Sequence, residues 1–345
     1  MIDLRSDLMG PRTREVAEAM RDAVMRPGAM DFGEDADERR LSDQLTAELD
    51  VEALLLVPTC TMANQIAIRL HLPEGGRLAS SARDHVVTVE AGATALTGVV
   101  HEILSAENGH PSPAIVSEYL NAGTRGKPRL VWLENTHMLS AGSVMPSGWQ
   151  TEIGVACRAA DTALHLDGSR LWNAAVAQEA SMATLMTGCD TAAISLNKAI
   201  GAPAGSVLAG SRLAIEQAVR WRDAMGGNWR PLGGIAAAAL AALQGWRPRL
   251  ATDLAMTQAI AEAIVDRLGE DAILPAPTNL IFLNRPAGDA VAFVGALARQ
   301  GVRAIVLAPA HVRLAVHSGV REREVEKIIA AITTADAERA AASGP

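Results

Sequence analysis

The chain has 345 residues, 49% of them hydrophobic but only 3% aromatic, and carries a formal net charge of −8. That length accommodates a large domain and a smaller one, each with its own core. The acidic balance leaves no basic surplus to neutralise phosphates, which argues against nucleic acid or an anionic membrane as a partner. Cys60, Cys157 and Cys189 include no C-x-x-C pair, so neither a disulfide framework nor a metal site is expected. The charged opening "MIDLRSDLMGPR" lacks the apolar core of a signal peptide. The longest apolar stretches fall short of the roughly 20 residues that a membrane-spanning helix needs. The expectation is a cytoplasmic protein.

In chain order, short apolar runs alternate with helical periodicity. "ALLLVPT" (53–59) reads as a strand leading into "TMANQIAIRLHL", where Met62, Ala63, Ile66, Ala67 and Leu70 share one face of a 3.6-residue period. "RLASS" (77–81) precedes a small-residue stretch, "VEAGATALTGVV", predicted as a helix. Then come "VHEIL" (100–104), "LVWLE" (130–134), "ALHLD" (163–167), "AAISL" (192–196) and "SVLAG" (206–210). Uniformly apolar runs of this length, separated by helices, imply a largely parallel sheet buried on both faces. Ligands of such sheets bind beyond the carboxyl ends of the strands. Thr59, Thr61, Glu134, Asn135, Asp167 and Lys198 stand there.

After "GGNWRPLGG" (226–234) the pattern changes to an Ala-rich helix from about 235. "NLIFLN" (279–284) and "HVRLAVH" (311–317) read as strands around the helix "DAVAFVGALARQG", and "REREVEKIIAAITTADAERAA" as a closing helix. The organisation expected is an N-terminal segment (1–30) contributing to an active site, a large cofactor-binding domain (31–244) and a small C-terminal α/β domain (245–345).

A lysine and an aspartate at the ends of two core strands match the needs of pyridoxal phosphate. That cofactor requires a lysine for its Schiff base and a carboxylate that keeps its pyridine nitrogen protonated, making the ring an electron sink. Its phosphate needs donors, and "PTCTMAN" (58–64) opens a predicted helix whose free N–H groups at Thr59, Cys60 and Thr61 suit an anion. Taken singly, each piece has a plainer reading. A strand-end lysine can be a snorkelling surface group and Asp-Gly a turn. Together, and in this order, they favour the cofactor.

The chain resembles the low-specificity threonine aldolases of the β-eliminating lyase family, a group of fold-type-I, aspartate-aminotransferase-like pyridoxal-phosphate enzymes. The resemblance rests on "MIDLRSD", "FGED" (32–35), "VPTCTMANQ", "DHVVTVEAGA", "LENTH" (133–137), "LHLDGSRLWNA" (164–174), "SLNKAIGAPAGSVLAGS", "RWRDAMGGNWR" (220–230) and "VRLAVH" (312–317), nearly the whole chain. It implies that Lys198 carries the cofactor, Asp167 partners the pyridine nitrogen, and His85 stacks on the ring and serves as the base. It also implies that Cys60 and Thr61 hold the phosphate, with Arg230 reaching it from a neighbouring subunit. Ser6, Arg170 and Arg313 would hold a substrate carboxylate, the natural partner of a guanidinium fork. A helix-start histidine facing solvent is the plainer reading of His85, and an edge-strand charge that of Arg313.

Four departures stand out. The family's "SGT" reads "TCT", placing Cys60 where glycine is usual; "YGEDP" reads "FGEDA"; and "RWRKM" reads "RWRDA", placing Asp223 where lysine is usual. Upstream of "RLVWLENTH", where many relatives have a substrate-facing histidine, this chain has "NAGTRGKP" (121–128), offering Thr124, Arg125 and Lys127 instead. The activity implied is cleavage of an L-β-hydroxy-α-amino acid to glycine and an aldehyde by a homodimer or homotetramer with shared sites. The alternatives are a transaldolase or β-eliminating reaction on a related amino acid, or a non-catalytic binding or assembly subunit. Intact Lys198 and Asp167 disfavour the last.

Overall fold

The computed structural model describes residues 1–30, 33–122, 129–286, 288–308 and 310–343. Strands are labelled β1 (Ile2–Asp3), β2 (Ala53–Val57), β3 (Arg77–Ser81), β4 (Val100–Leu104), β5 (Arg129–Glu134), β6 (Ala163–Gly168), β7 (Thr191–Ser195), β8 (Ser206–Gly210), β9 (Leu280–Asn284), β10 (Val302–Arg303), β11 (Ile305–Ala308) and β12 (His311–Ala315). The chain divides into two compact units. One comprises Arg12–Leu139 and Val144–Gln244; the other comprises Met1–Pro11, Ser140–Ser143 and Gly245–Pro345.

The larger unit is built on a seven-stranded sheet in the order β2-β8-β7-β6-β5-β3-β4. Neighbours from β7 through β4 run parallel, whereas β8 is antiparallel to both β2 and β7. Two reversals leave β2 pointing the same way as the parallel strands, so its carboxyl end emerges on the same edge of the sheet as theirs. The apolar strand sequences follow from burial on both faces: all five residues of β7 and of β8 are buried.

The helix Cys60–His71 shows how sequence sets this packing. Thr59 caps it by accepting from the Met62 N–H at 3.1 Å, an interaction that contributes about 1 kcal/mol. Ala63, Ile66 and Ala67 fill a core with Leu55, Val57, Ala193 and Leu208, and Met62 and Leu70 pack at its margin. Ile68, on another face, joins a second core with Leu78, Leu130 and Trp132. The helix is therefore covered on more than one side, which buries its polar Asn64 and Gln65 as well.

The helix predicted over "VEAGATALTGVV" (89–100) forms only over Ala91–Ala95. Two short helices, His85–Thr88 and Ala91–Ala95, flank a break at Val89 and Glu90. Gly98, at φ +68°, then turns the chain into β4. Glu90 stands at the start of that short helix, its carbonyl accepting from the Thr94 N–H at 2.9 Å, while its buried carboxylate is committed to partners outside the segment.

In the smaller unit, β12 lies between β11 and β9 in an antiparallel sheet. Ile281, Leu283, Val312 and Leu314 pack with Ile260, Phe293, Leu297, Ile328 and Ile332 from the helices Trp246–Leu268, Ala290–Arg299 and Val325–Ser343. β1 pairs parallel with β10, and Leu4 accepts from the Ala315 N–H at 2.7 Å. Among the described residues, no helix is long and apolar enough to cross a membrane.

Candidate active site

Five carboxyl-end segments of the large sheet supply the site. Asp167 is the penultimate residue of β6, β5 ends on Glu134, and the two are cross-strand partners. Lys198 follows β7, held by its own N–H to Ser195 Oγ at 3.2 Å. His85 follows β3, and Cys60 and Thr61 open the helix after β2.

Asp167 is buried and its carboxylate is well served. Asn64 Nδ2 donates to Oδ2 at 2.9 Å, and the Ser169 N–H to Oδ1 at 3.0 Å. Burial opposes its ionisation, yet the charges of His85 and Lys198 and the hydrogen bonds from Asn64 and Ser169 prevail, so its pKa lies below the usual aspartate value.

His85 is half-buried rather than turned to solvent. Its Nδ1 meets Glu90 Oε1 at 2.8 Å, and its backbone N–H donates to Glu134 Oε2 at 2.6 Å. The ligating atoms of His85, Glu90 and Asp167 all lie within 4.8 Å of one another. Burial lowers the imidazole pKa, but the Glu90 hydrogen bond and the charges of Asp167, Glu90 and Glu134 outweigh it, leaving the net value raised. With Nδ1–H committed to Glu90, Nε2 is the nitrogen that can accept a proton in the neutral ring.

Behind His85 lies a second buried group. His137 Nε2 is 3.2 Å from Asp84 Oδ1, and Glu134 accepts from the N–H of both His85 and Met138. Burial raises the Glu134 pKa, held back by His137 and by those two N–H groups. These residues brace the turn that presents His85.

Cys60 stands at the first helical position. The thiol shares hydrogen bonds with Ser169 and Ser206, and burial pushes its pKa up even though Lys198 is near enough to pull it down. With Thr59 serving Met62, the N–H groups of Cys60 and Thr61 have no intrahelical acceptor, the kind of helix end that suits an anion. A helical backbone needs no glycine, so the cysteine in "TCT" sits without strain.

Arg170, three residues beyond Asp167, is buried at the start of the helix Leu171–Ala177. Arg230 is exposed and donates to Asn228 Oδ1 at 3.2 Å. Asp223 pairs with its neighbour Arg222 at 2.9 Å. In the smaller unit, Arg313 is 7% exposed on the central strand β12, not at an edge, and donates to the Arg5 carbonyl at 2.6 Å. Adjacent to Arg5, Ser6 caps a short turn by accepting from the Leu8 N–H. Thr124, Arg125 and Lys127 lie outside the described residues.

The larger unit thus brings Lys198, Asp167, His85 and Cys60 together. The donor set suits pyridoxal phosphate: an amine, a buried carboxylate kept anionic, an imidazole and a helix N-terminus. Sequence reasoning passed over Asn64, Glu90, Asp84, His137 and His165. All five lie inside the motifs "VPTCTMANQ", "DHVVTVEAGA", "LENTH" and "LHLDGSRLWNA" (polar residues within apolar or helical surroundings), which is the signal that could have singled them out.

Comparison with known proteins identifies the family of the chain. The family model described as beta-eliminating lyase matches residues 3–286. The chain is 31% identical over 338 residues to the low specificity L-threonine aldolase of Escherichia coli strain K12, covering 96% of this chain and 98% of that one. It is 32% identical over 295 residues to low-specificity L-threonine aldolase 1 of Arabidopsis thaliana, covering 83% and 82%. In three dimensions it superposes on a threonine aldolase of Leishmania major with a TM-score of 0.83 at 19% identity, covering 97% of this chain and 99% of that one. A serine palmitoyltransferase of Sphingomonas wittichii shares the fold at TM-score 0.78 and 15% identity, covering 99% and 88%. The architecture is that of the fold-type-I pyridoxal-phosphate enzymes, and the chain belongs to the β-eliminating lyase family.

Proposed function

We propose that the protein is a pyridoxal-phosphate-dependent lyase that cleaves threonine-like L-β-hydroxy-α-amino acids to glycine and an aldehyde. The observation that carries this is the His85–Glu90–Asp167 cluster beside Lys198: a base with a directed tautomer next to an anion built for a pyridinium. Its resemblance to relatives named as L-threonine aldolases supports the same reading.

Bound pyridoxal phosphate supplies the electron sink for the pair released when the Cα–Cβ bond breaks. Lys198 holds the cofactor. Asp167 keeps a proton on its pyridine nitrogen, and the N–H groups of Cys60 and Thr61 hold its phosphate, with Arg230 of a neighbouring subunit as a further partner. His85 Nε2 takes the proton of the β-hydroxyl, while Glu90 accepts from Nδ1 and favours the imidazolium that forms. Arg170 is assigned to the substrate carboxylate. The same reading makes the protein cytoplasmic and a homodimer or homotetramer.

The test is an assay of threonine and phenylserine with and without an added aldehyde. Acetaldehyde release from threonine without an acceptor is expected. Turnover that requires an acceptor would replace the lyase with a transferase, and a protein whose Lys198 is not trapped by borohydride with added cofactor would remove the assignment.

A further inference from the structure

The geometry points to Asn64, His165, Thr191 and His71 as a one-way hydrogen-bond chain that holds Asp167 from within the sheet, making them positioning residues for the cofactor's partner. This rests on the assignment of Asp167 to the pyridine nitrogen. Its polarity follows from the atoms alone. Asn64 Nδ2 lies 2.9 Å from both Asp167 Oδ2 and Glu90 Oε1. Two carboxylate oxygens on one edge of an amide require hydrogens there, so the nitrogen faces them and the amide oxygen faces away. That oxygen meets His165 Nε2 at 3.2 Å. An amide oxygen can only accept, so Nε2 carries the hydrogen.

His165 is fully buried, its ring 4.5 Å from that of Trp132. Burial pushes its pKa down to about 3, so the ring is neutral and Nδ1 is an acceptor. The partner of Nδ1 is Thr191 Oγ1 at 2.8 Å, which must give its proton to the ring. The Thr191 oxygen then accepts from His71 Nε2 at 2.9 Å. His71 lies on the wall of a cavity of about 1170 Å³ lined also by Arg129, Ala163 and Gly210. Arg129 and Ala163 begin β5 and β6, at the end of the sheet opposite Asp167.

Every hydrogen in this chain is aimed towards Asp167. The carboxylate therefore receives an oriented dipole from each link, which favours its charged form. The chain cannot conduct a proton along its length, because the Asn64 amide neither accepts nor releases one at accessible pH. It fixes orientation and charge while insulating Asp167 from acid at the far end.

Two measurements test this. In the cofactor-free protein, nitrogen NMR should show His165 as the Nε2–H tautomer; an Nδ1–H tautomer overturns the chain whatever the cofactor does. In the holoenzyme, Asn64→Leu should lower kcat for threonine about ten- to hundredfold, as expected for losing a hydrogen bond to a charged group. KM should change by less than about threefold, and the pH midpoint of the bound cofactor's absorption band should shift. Thr191→Val should move the same midpoint in the same direction, and Thr191→Ser should restore it. Asn64→Leu and Thr191→Val proteins that trap cofactor on Lys198 and keep the parent kcat and midpoint would overturn the proposal. A parent protein that does not trap cofactor on Lys198 fails the cofactor assignment instead, a result distinct from either.

Discussion

Glu90 accepts from three side chains at once: Oε1 from Asn64 and His85, Oε2 from Gln65 at 3.1 Å. Its hold on His85 sets a pH dependence. Despite burial, the imidazole pKa is raised by Glu90, Asp167 and Glu134, and a base must be neutral to act. The rate kcat/KM for threonine should therefore climb with pH through an inflection above the usual histidine value of about 6.5. Glu90→Gln keeps an acceptor but removes the charge, so the inflection should move down in a pH–rate profile; an unmoved inflection would show that Glu90 does not tune the base. The linkage for stability has its own sign. A histidine raised in the fold contributes stability below its unfolded value and loses it as pH rises through the folded one. Asp167, lowered in the fold, contributes above its unfolded value and loses that contribution as pH falls.

Among the helices, Cys60–His71 presents its first turn to the cofactor phosphate in the proposed reading. Cys60 occupies the place of a family glycine, but its backbone is helical. Restoring glycine should therefore weaken the helix rather than relieve it. Cys60→Gly is expected to destabilise the protein by about 0.5–1 kcal/mol in a urea titration; a gain in stability would mean the cysteine is strained. Thr59→Ala, which removes the acceptor for the Met62 N–H, should cost about 1 kcal/mol in the same experiment. The helix Trp246–Leu268 carries a different liability. Asp253 is buried on it, and burial pushes its pKa up to about 7, with Arg249 pulling down and Asp7 pushing up. Its unfolded value is about 3.9, so the fold prefers the protonated form and loses stability as pH rises between those values. Asp253→Asn should raise Tm by several degrees at pH of about 8 and leave it unchanged near pH of about 4. Equal shifts at both would show a packing effect instead.

For the whole molecule, what could be read from sequence divides by range. The strands were legible because burial on both faces demands unbroken apolar runs, and β5 to β8 carry them. Lys198 and Asp167 were legible because a charge at the end of such a run is costly to bury unless a partner or a ligand compensates it. Asn64 and His165 were not, since a polar residue in an apolar or helical run marks burial without naming its partner, and here the partner is 101 residues away. Glu90 hid at the start of a helical pattern, where an acidic residue is ordinary. Assembly is a further matter at this scale. Trp221 is 40% exposed, with Arg69 over its ring at 5.9 Å, and Arg230 is exposed in the same segment. Tryptophan and arginine are common interface anchors. Sedimentation should show a dimer or tetramer, and Arg230→Ala should weaken cofactor retention; a monomer that holds its cofactor fully would rule out a contribution from a neighbour.

The pairing of β1 with β10 has a consequence for how the protein is made. Ile2 finds its partner at Val302, and Asp3 finds Arg303. A ribosome must add about three hundred residues, at roughly 5–20 per second, before that contact is possible. The larger unit can be complete by then, since its last segment ends at Gln244. The segment Met1–Pro11, made long before its partner strand, is consequently among the last to fold. Ribosome-bound chains halted after residue 244 should already resist protease across the large sheet while their first residues are still cut.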